Sequence, residues 1–136
     1  MITAVDTCVL LDVFGADPKF GRVSAEALRE CVAGGSLIAC EVVVAEVASA
    51  FPSEKAAQSA LERLGVGFSA LDLQAAHAAA DAWRAYRARG GRRQRVAADF
   101  LIGAHARVHS NQLLTRDRGF YKAYFRKLKL LDPSAR

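Results

Sequence analysis

Short runs of apolar residues that alternate with helical segments constrain the fold of this chain more than any other feature of its sequence. Runs that are apolar throughout, without a polar residue at every second position, are typical of strands covered on both faces. Strands that alternate with helices predict an α/β fold with a mainly parallel central sheet. The predicted strands are residues 2–5, 36–40, 65–69, 112–115 and 127–131.

The segments between these strands carry the end signals of helices. Gly34 and Gly35 end the second predicted helix, Pro52 ends the third, and Ser53 can cap the fourth. Loops are predicted at 15–21 and 92–96, and a turn is predicted at 116–119, after the fourth strand. The predicted helices are 8–14, 24–33, 41–51, 54–64, 72–89 and 97–109.

Length and cysteine content bound the class of protein. A chain of 136 residues with 52% apolar residues is expected to form one domain over residues 1–136. Asp6 interrupts the first apolar run, and no run approaches the roughly 20 residues of a membrane span, so neither a signal peptide nor a membrane association is expected. Cys8, Cys31 and Cys40 are odd in number and lack C-x-x-C spacing. That pattern favours a cytoplasmic protein without disulfides or a zinc knuckle.

The charge is distributed unevenly along the chain. The net charge is +5, but residues 1–68 carry a net charge of −4 and residues 69–136 carry +9. A strongly basic half is typical of proteins that face a polyanion. A solvated basic surface without a ligand is the alternative that charge alone leaves open.

Three carboxylates are expected to meet at one edge of the predicted sheet. Asp6 follows the first strand directly, and Asp117 lies two residues after Thr115, the end of the fourth. Asp99 lies in the first turn of the helix that leads into the fourth strand, and a parallel topology places that turn at the carboxyl edge too. Ligands bind beyond this edge in such sheets. Each residue could instead have a separate structural role, as a helix cap, a first-turn residue or a turn residue.

A fourth carboxylate is expected from the third predicted helix. Glu46 has apolar residues at i−4, i−3 and i+4, and a carboxylate on that face needs a partner such as a metal ion. Glu41 competes for this role, but five helical residues are about 140° apart, so both cannot face one site. We favour Glu46, because Glu41 suits a helix start.

Clustered carboxylates repel one another unless a cation lies between them. Mg²⁺ uses carboxylates together with waters and phosphate oxygens, so such a site suits the hydrolysis of phosphodiesters. The sequence therefore predicts that Asp6, Asp99 and Asp117 hold Mg²⁺ or Mn²⁺, with Glu46 close by.

Four segments that bear these acidic residues resemble the PIN-domain family, and specifically its VapC-type toxins. They occur in the family's order along nearly the whole chain: VDTCVLL at 5–11, VVVAEV at 42–47, ADFLIGAHA at 98–106 and LLTRDRGF at 113–120. The resemblance implies a three-layer α/β/α sandwich and an endoribonuclease that uses Mg²⁺ or Mn²⁺. It also implies a cognate VapB-type antitoxin, an RNA substrate of the tRNA or rRNA class, and frequent homodimers. Thr7 and Thr115 lie beside the acidic residues and are expected to support them.

Basic residues flank the predicted site. Arg92, Arg93 and Arg95 lie in the loop that leads to Asp99, and Arg116 precedes Asp117, so these four are expected to contact RNA phosphates. A second basic stretch at 116–129 contains interleaved aromatic residues, which can stack on unpaired bases or pack in the core.

Other functions compete with metal-dependent RNA cleavage. A PIN-like module that binds RNA or protein without cleaving is one. A phosphatase of the haloacid dehalogenase type is another, but Cys8 stands where its second aspartate is required. His105 and His109 have the i, i+4 spacing of zinc ligands, yet they lack a glutamate between them in the required place.

Overall fold

The computed structural model describes residues 1–91 and 97–135. It confirms the predicted α/β fold, and every strand pair in the described chain is parallel. The spatial order of the five strands is β3-β2-β1-β4-β5, so the first strand lies at the centre of the sheet. The strands are β1 (Ile2–Val5), β2 (Ser36–Ala39), β3 (Val66–Phe68), β4 (Gln112–Leu114) and β5 (Leu130–Leu131).

Helices cover both faces of this sheet in a three-layer α/β/α sandwich. Successive side chains of a strand point to opposite faces, and consecutive residues of β1 and β4 are buried. The helices are α1 (Thr7–Phe14), α2 (Gly21–Ala33), α3 (Glu41–Ala48), α4 (Glu54–Arg63), α5 (Leu73–Ala88), α6 (Ala97–His109) and α7 (Arg118–Tyr124), followed by a 3₁₀ turn at Pro133–Ala135. Among the described residues, none of these helices has the length and apolar character to cross a membrane.

The predicted element boundaries differ from the structure by more than one residue in four places. The second helix begins three residues early, at Gly21, and the third ends at Ala48 rather than at residue 51. The predicted turn at 116–119 is wrong in its second half, because α7 begins at Arg118. The last strand is limited to Leu130–Leu131. The composition around Arg118 is that of a turn, and burial of the aromatic side chains of α7 overrides that local preference.

Aromatic rings join α5, α6 and α7 on one side of the molecule. Phe100 stacks on Trp83 with centroids 5.1 Å apart and meets Phe120 edge-on at 5.1 Å. Gly103 permits this packing, because a Cβ at that position would lie 2.4 Å from the ring of Phe125. Core packing, one of the two roles predicted for the aromatic residues of 116–129, is therefore correct for Phe120 and Phe125, which are both buried.

The register of the sheet aligns the ends of β1 and β4. Val5 pairs with Leu114, and the backbone N–H of Asp6 donates to the carbonyl of Leu114 at 3.0 Å. The residues that follow these two strands, Asp6 and Thr115, are therefore neighbours at the carboxyl edge.

Candidate functional site

Asp6 lies at the centre of the carboxyl edge and is buried, with 6% of its surface exposed. Its Oδ1 accepts the backbone N–H of Thr7 at 2.8 Å, which caps α1, and its Oδ2 accepts the hydroxyl of Thr115 at 2.7 Å. Burial raises the pKa of the Asp6 carboxyl above its usual value, and the charge of Asp117 adds to this rise. The hydrogen bonds from Thr115 and Thr7 oppose it. Asp6 thus caps α1, and its burial disfavours the charged form of its carboxyl.

Thr115 joins Asp6 to the segment that carries Asp117. The Thr115 side chain is fully buried, and its hydroxyl donates to Asp6 while accepting the backbone N–H of Asp117 at 2.9 Å. This chain of two hydrogen bonds fixes the start of α7 relative to the end of β1. It places the Thr115 hydroxyl between the two acidic residues, and the supporting role of Thr115 in a site stays a prediction.

Thr7 joins Asp6 to Glu46. The Thr7 hydroxyl donates to Oε1 of Glu46 at 2.7 Å, across from α1 to α3. Glu46 itself is exposed at the margin of α3. Glu41 turns to a different part of the molecule, where its Oε1 accepts the backbone N–H of Leu71 at 2.8 Å. Of the two glutamates, Glu46 is the one in contact with the neighbourhood of Asp6.

Tyr121 is a member of this site that the sequence did not single out. Its ring is fully buried, and its hydroxyl lies near enough to Asp6 to lower the pKa of that carboxyl. Burial raises the pKa of the Tyr121 hydroxyl, and the charges of Asp6 and Asp99 raise it further. The hydroxyl therefore lies within electrostatic reach of both carboxylates. Tyr121 directly follows Phe120 in an aromatic stretch, and nothing in that pattern distinguishes it from a core residue.

Asp99 and Asp117 lie at the starts of α6 and α7. Asp99 lies in the first turn of α6, and Asp117 directly precedes α7; both are partly buried. Each acts on a buried group of the site, Asp117 on the pKa of Asp6 and Asp99 on the pKa of Tyr121. The expectation that helix starts and strand ends bring these acids to one edge agrees with these electrostatic contacts.

The chemistry of these side chains fits a hard divalent cation. Over residues 1–91 and 97–135, no three Asp, Glu, His or Cys side chains form a ready-made metal site. The donors nevertheless match, because the oxygens are carboxylates and Mg²⁺ completes its shell with water and phosphate oxygens rather than with protein alone. A cation would also stabilise the charged form of Asp6, which burial and the like charge of Asp117 disfavour.

Comparison with protein families decides the class of this fold. Residues 3–126 match the family model of the PIN domain. The chain belongs to the PIN domain family. This membership rules out the haloacid dehalogenase alternative and confirms the family that the four acidic segments resemble.

Solved structures share the fold of this PIN domain over nearly its whole length. VapBC2 from Rickettsia felis, bound to a fragment of its promoter DNA, has a TM-score of 0.77 and 18% identity. This match covers 97% of this chain and 98% of that chain. VapBC-1 from nontypeable Haemophilus influenzae has a TM-score of 0.75 and 17% identity, covering 98% and 99%. FitAcB from Neisseria gonorrhoeae has a TM-score of 0.69 and 22% identity, covering 98% of each chain. Among curated proteins, none matches this sequence.

Arg116 is engaged inside the PIN domain rather than displayed on its surface. Its Nε and one terminal nitrogen donate to the two oxygens of the buried Asp12 carboxylate, at 2.8 and 2.9 Å. Its guanidinium also lies 4.0 Å above the ring of Phe20. These contacts tie α1 to the segment between Thr115 and Asp117, so an RNA contact by Arg116 would compete with an internal ion pair. Arg92, Arg93 and Arg95 lie outside the described residues.

The histidine pair of α6 has partners within the fold. His105 is buried, with its Nε2 3.0 Å from the hydroxyl of Ser69, and His109 lies 2.9 Å from the Asp72 carboxylate. Burial lowers the pKa of His105 below its usual value, with the charge of His109 as a further cause. These contacts give both rings a place in the packing of α6 against the β3–α5 connection.

Proposed function

We propose that this PIN domain, taken as one domain over residues 1–136, is a metal-dependent endoribonuclease and the toxin of a type II toxin–antitoxin pair. The observation that carries the proposal is the hydrogen-bonded arrangement around buried Asp6. Thr115 links Asp6 to the backbone of Asp117, and Thr7 links it to Glu46. Such an arrangement holds carboxylate oxygens in place for a metal and a phosphate.

In this proposal Asp6, Asp99 and Asp117 hold Mg²⁺ or Mn²⁺ at the carboxyl edge. A bound ion would supply a Lewis acid for the phosphate and lower the pKa of a water molecule. Thr7 and Thr115 orient the two oxygens of Asp6. Glu46, which accepts a hydrogen bond from Thr7, would take a proton from an attacking water in this mechanism.

The partners proposed for this chain are based on the names of the similar solved structures. The similar VapBC and FitAcB structures are complexes by name, which supports a cognate VapB-type antitoxin for this PIN domain. A homodimer and an RNA substrate of the tRNA or rRNA class belong to the same proposal. A cytoplasmic location fits the three cysteines, which are all free thiols.

Cleavage of RNA by the purified protein tests this function. Activity should require Mg²⁺ or Mn²⁺, and EDTA or the substitution Asp6→Asn should abolish it while the circular dichroism spectrum is retained. Glu54→Gln, which removes a carboxylate from the exposed start of α4, serves as the matched control and should cleave normally. Expression of the wild type alone should arrest growth, and co-expression with the product of a neighbouring reading frame should restore it. Full activity in EDTA would exclude the mechanism.

A catalytically silent module that binds RNA or a protein is the second candidate. The observation in its favour is that the described residues contain no preformed group of three metal ligands. The same assay separates the two, because a silent module would bind RNA in the presence of Mn²⁺ and leave it intact.

A further inference from the structure

A basic groove lies between α5, α6 and the end of α7, away from the acidic site. Its volume is about 480 Å³. Alanine residues of α5 form part of its floor, and half-buried Tyr124 lies among its lining residues. The groove also has four exposed basic side chains, namely Arg89, Arg107, Arg126 and Lys127.

The positive charge of this groove is not neutralised from within. Over residues 1–91 and 97–135, no ion pair involves Arg107, Arg126 or Lys127. Asp81 also lines the groove, but its carboxylate pairs with Arg84. Four neighbouring cations face one carboxylate that is already paired with Arg84. Such a site has a strong positive potential, which attracts a polyanion.

Helix α6 carries residues of both the groove and the acidic edge. Asp99 lies in the first turn of α6 and Arg107 lies eight residues later, which is about 12 Å along a helix. Arg89, at the end of α5, extends over the ring of Tyr124 with its guanidinium 5.4 Å from the centroid. Arg107 therefore lies about 12 Å along α6 from Asp99 and about 80° around it, a separation that a single RNA strand can span.

We propose that this groove binds the phosphodiester backbone of single-stranded RNA outside the cleaved bond. The inference rests on the proposed function and adds a second contact region to it. Arginine pairs with phosphate through two parallel hydrogen bonds, and three of the four cations are arginines. An open groove with an alanine floor accommodates ribose without selecting a base, and the exposed part of Tyr124 offers a ring for stacking.

RNA is favoured over an acidic protein segment for two reasons. The groove lies on the same helix as Asp99, so one strand can occupy the acidic edge and the groove together. The larger apolar residues that line the groove are Tyr124, which is half-buried, and Phe125, which is buried, whereas a protein helix normally docks on larger apolar side chains that are open to it.

The test measures RNA affinity as a function of salt, in EDTA so that no cleavage occurs. The probe is a fluorescein-labelled single-stranded RNA of about 20 nucleotides, and a labelled tetranucleotide is the short reference. The groove variant combines Arg107→Ala, Arg126→Ala and Lys127→Ala. Since each phosphate contact on a single strand contributes about 0.7 to the slope of log K against log salt, the slope should fall by about 2. Affinity for the tetranucleotide should change far less.

A matched control removes the same charge elsewhere. Arg29→Ala, Lys55→Ala and Arg63→Ala together delete three exposed cations from α2 and α4. This control should keep the wild-type slope. A groove variant with glutamine at the three positions retains the polar character and more of each side chain than alanine does, and it repeats the test if the alanine variant unfolds.

The outcomes separate the groove from the function. If the groove variant and the control lose affinity equally, net charge explains binding and the groove proposal is wrong. If the wild type cleaves RNA while the groove variant keeps its affinity and slope, the proposed function stands and the groove proposal fails. A wild type that neither binds nor cleaves RNA overturns both. Loss of a co-purifying protein partner with unchanged RNA affinity would assign the groove to that partner instead.

Discussion

Replacing Thr115 by valine removes one hydroxyl from the buried centre of the site and almost nothing else. The side chain is fully buried, and valine has nearly the same shape, so no cavity opens. The change leaves Oδ2 of Asp6 and the N–H of Asp117 without the hydroxyl that now bonds both. Losing a buried hydrogen bond to a charged group and stranding a second polar group should lower the free energy of unfolding by about 3 kcal/mol.

The expected change in melting temperature follows from the size of the chain. An unfolding entropy of about 2.1 cal/mol/K per residue gives about 0.29 kcal/mol/K for a chain of this length. A loss of about 3 kcal/mol therefore corresponds to a fall in Tm of about 10 °C. Thermal unfolding followed by circular dichroism, in metal-free buffer, measures it.

The loss should also depend on pH, with a definite sign. Burial raises the pKa of Asp6 in the folded state, so folding favours the protonated form and stability falls as pH rises from the usual carboxyl pKa towards the folded one. The Thr115 hydrogen bond lowers this pKa, and without it the folded pKa rises further. The penalty of Thr115→Val should therefore grow as pH rises above the usual carboxyl pKa, because the lost hydrogen bond stabilises the charged form of Asp6.

Thr115→Ser is the control for this experiment, because serine keeps the hydroxyl and loses a methyl group. It should cost on the order of 1 kcal/mol at every pH, as expected for a small cavity. If valine and serine lower the free energy of unfolding with the same pH dependence, the hydroxyl does not hold the Asp6 carboxylate and the reasoning is refuted.

Two further substitutions test the surroundings of the site. Glu46→Gln should lower kcat for RNA cleavage by about 10²-fold or more. Glu41→Gln should leave kcat nearly unchanged, because Thr7 contacts Glu46 and not Glu41. Equal losses of kcat would show that Glu46 is not part of the site. Arg116→Ala should lower the free energy of unfolding by about 3 kcal/mol, since the buried Asp12 carboxylate loses its counter-ion and retains the hydrogen bond from Ser24. Adding Asp12→Asn should recover part of that loss in urea unfolding, and an unchanged Tm for the single variant would contradict the ion pair.

The local pattern of the sequence was sufficient for the class of fold and for the edge of the sheet that carries the acids. Continuous apolar runs required strands covered on both faces, and helices between the strands required a parallel sheet. The capping side chain of Ser53 and the helix Ala97–His109 were also readable, because a cap or a helical period depends on residues a few positions apart. Asp6, Asp99 and Asp117 could be assigned to one edge on that basis alone.

The contacts of these residues with distant parts of the chain were decided by the tertiary structure. Thr115 and Asp6 are 109 residues apart, and their hydrogen bond depends on β4 lying beside β1 in a register that pairs Val5 with Leu114. No local pattern contains that register.

The choice between Glu46 and Glu41 and the place of Tyr121 depend on packing in the same way. Both glutamates satisfy the local rules for α3, and only the approach of α1 brings Thr7 to one of them. Tyr121 has the sequence signal of a core aromatic, and the short helix that carries it forms where the chain alone predicts a turn. Helical periods and strand patterns are local properties of the chain, whereas the partner of each polar side chain depends on how distant elements pack together.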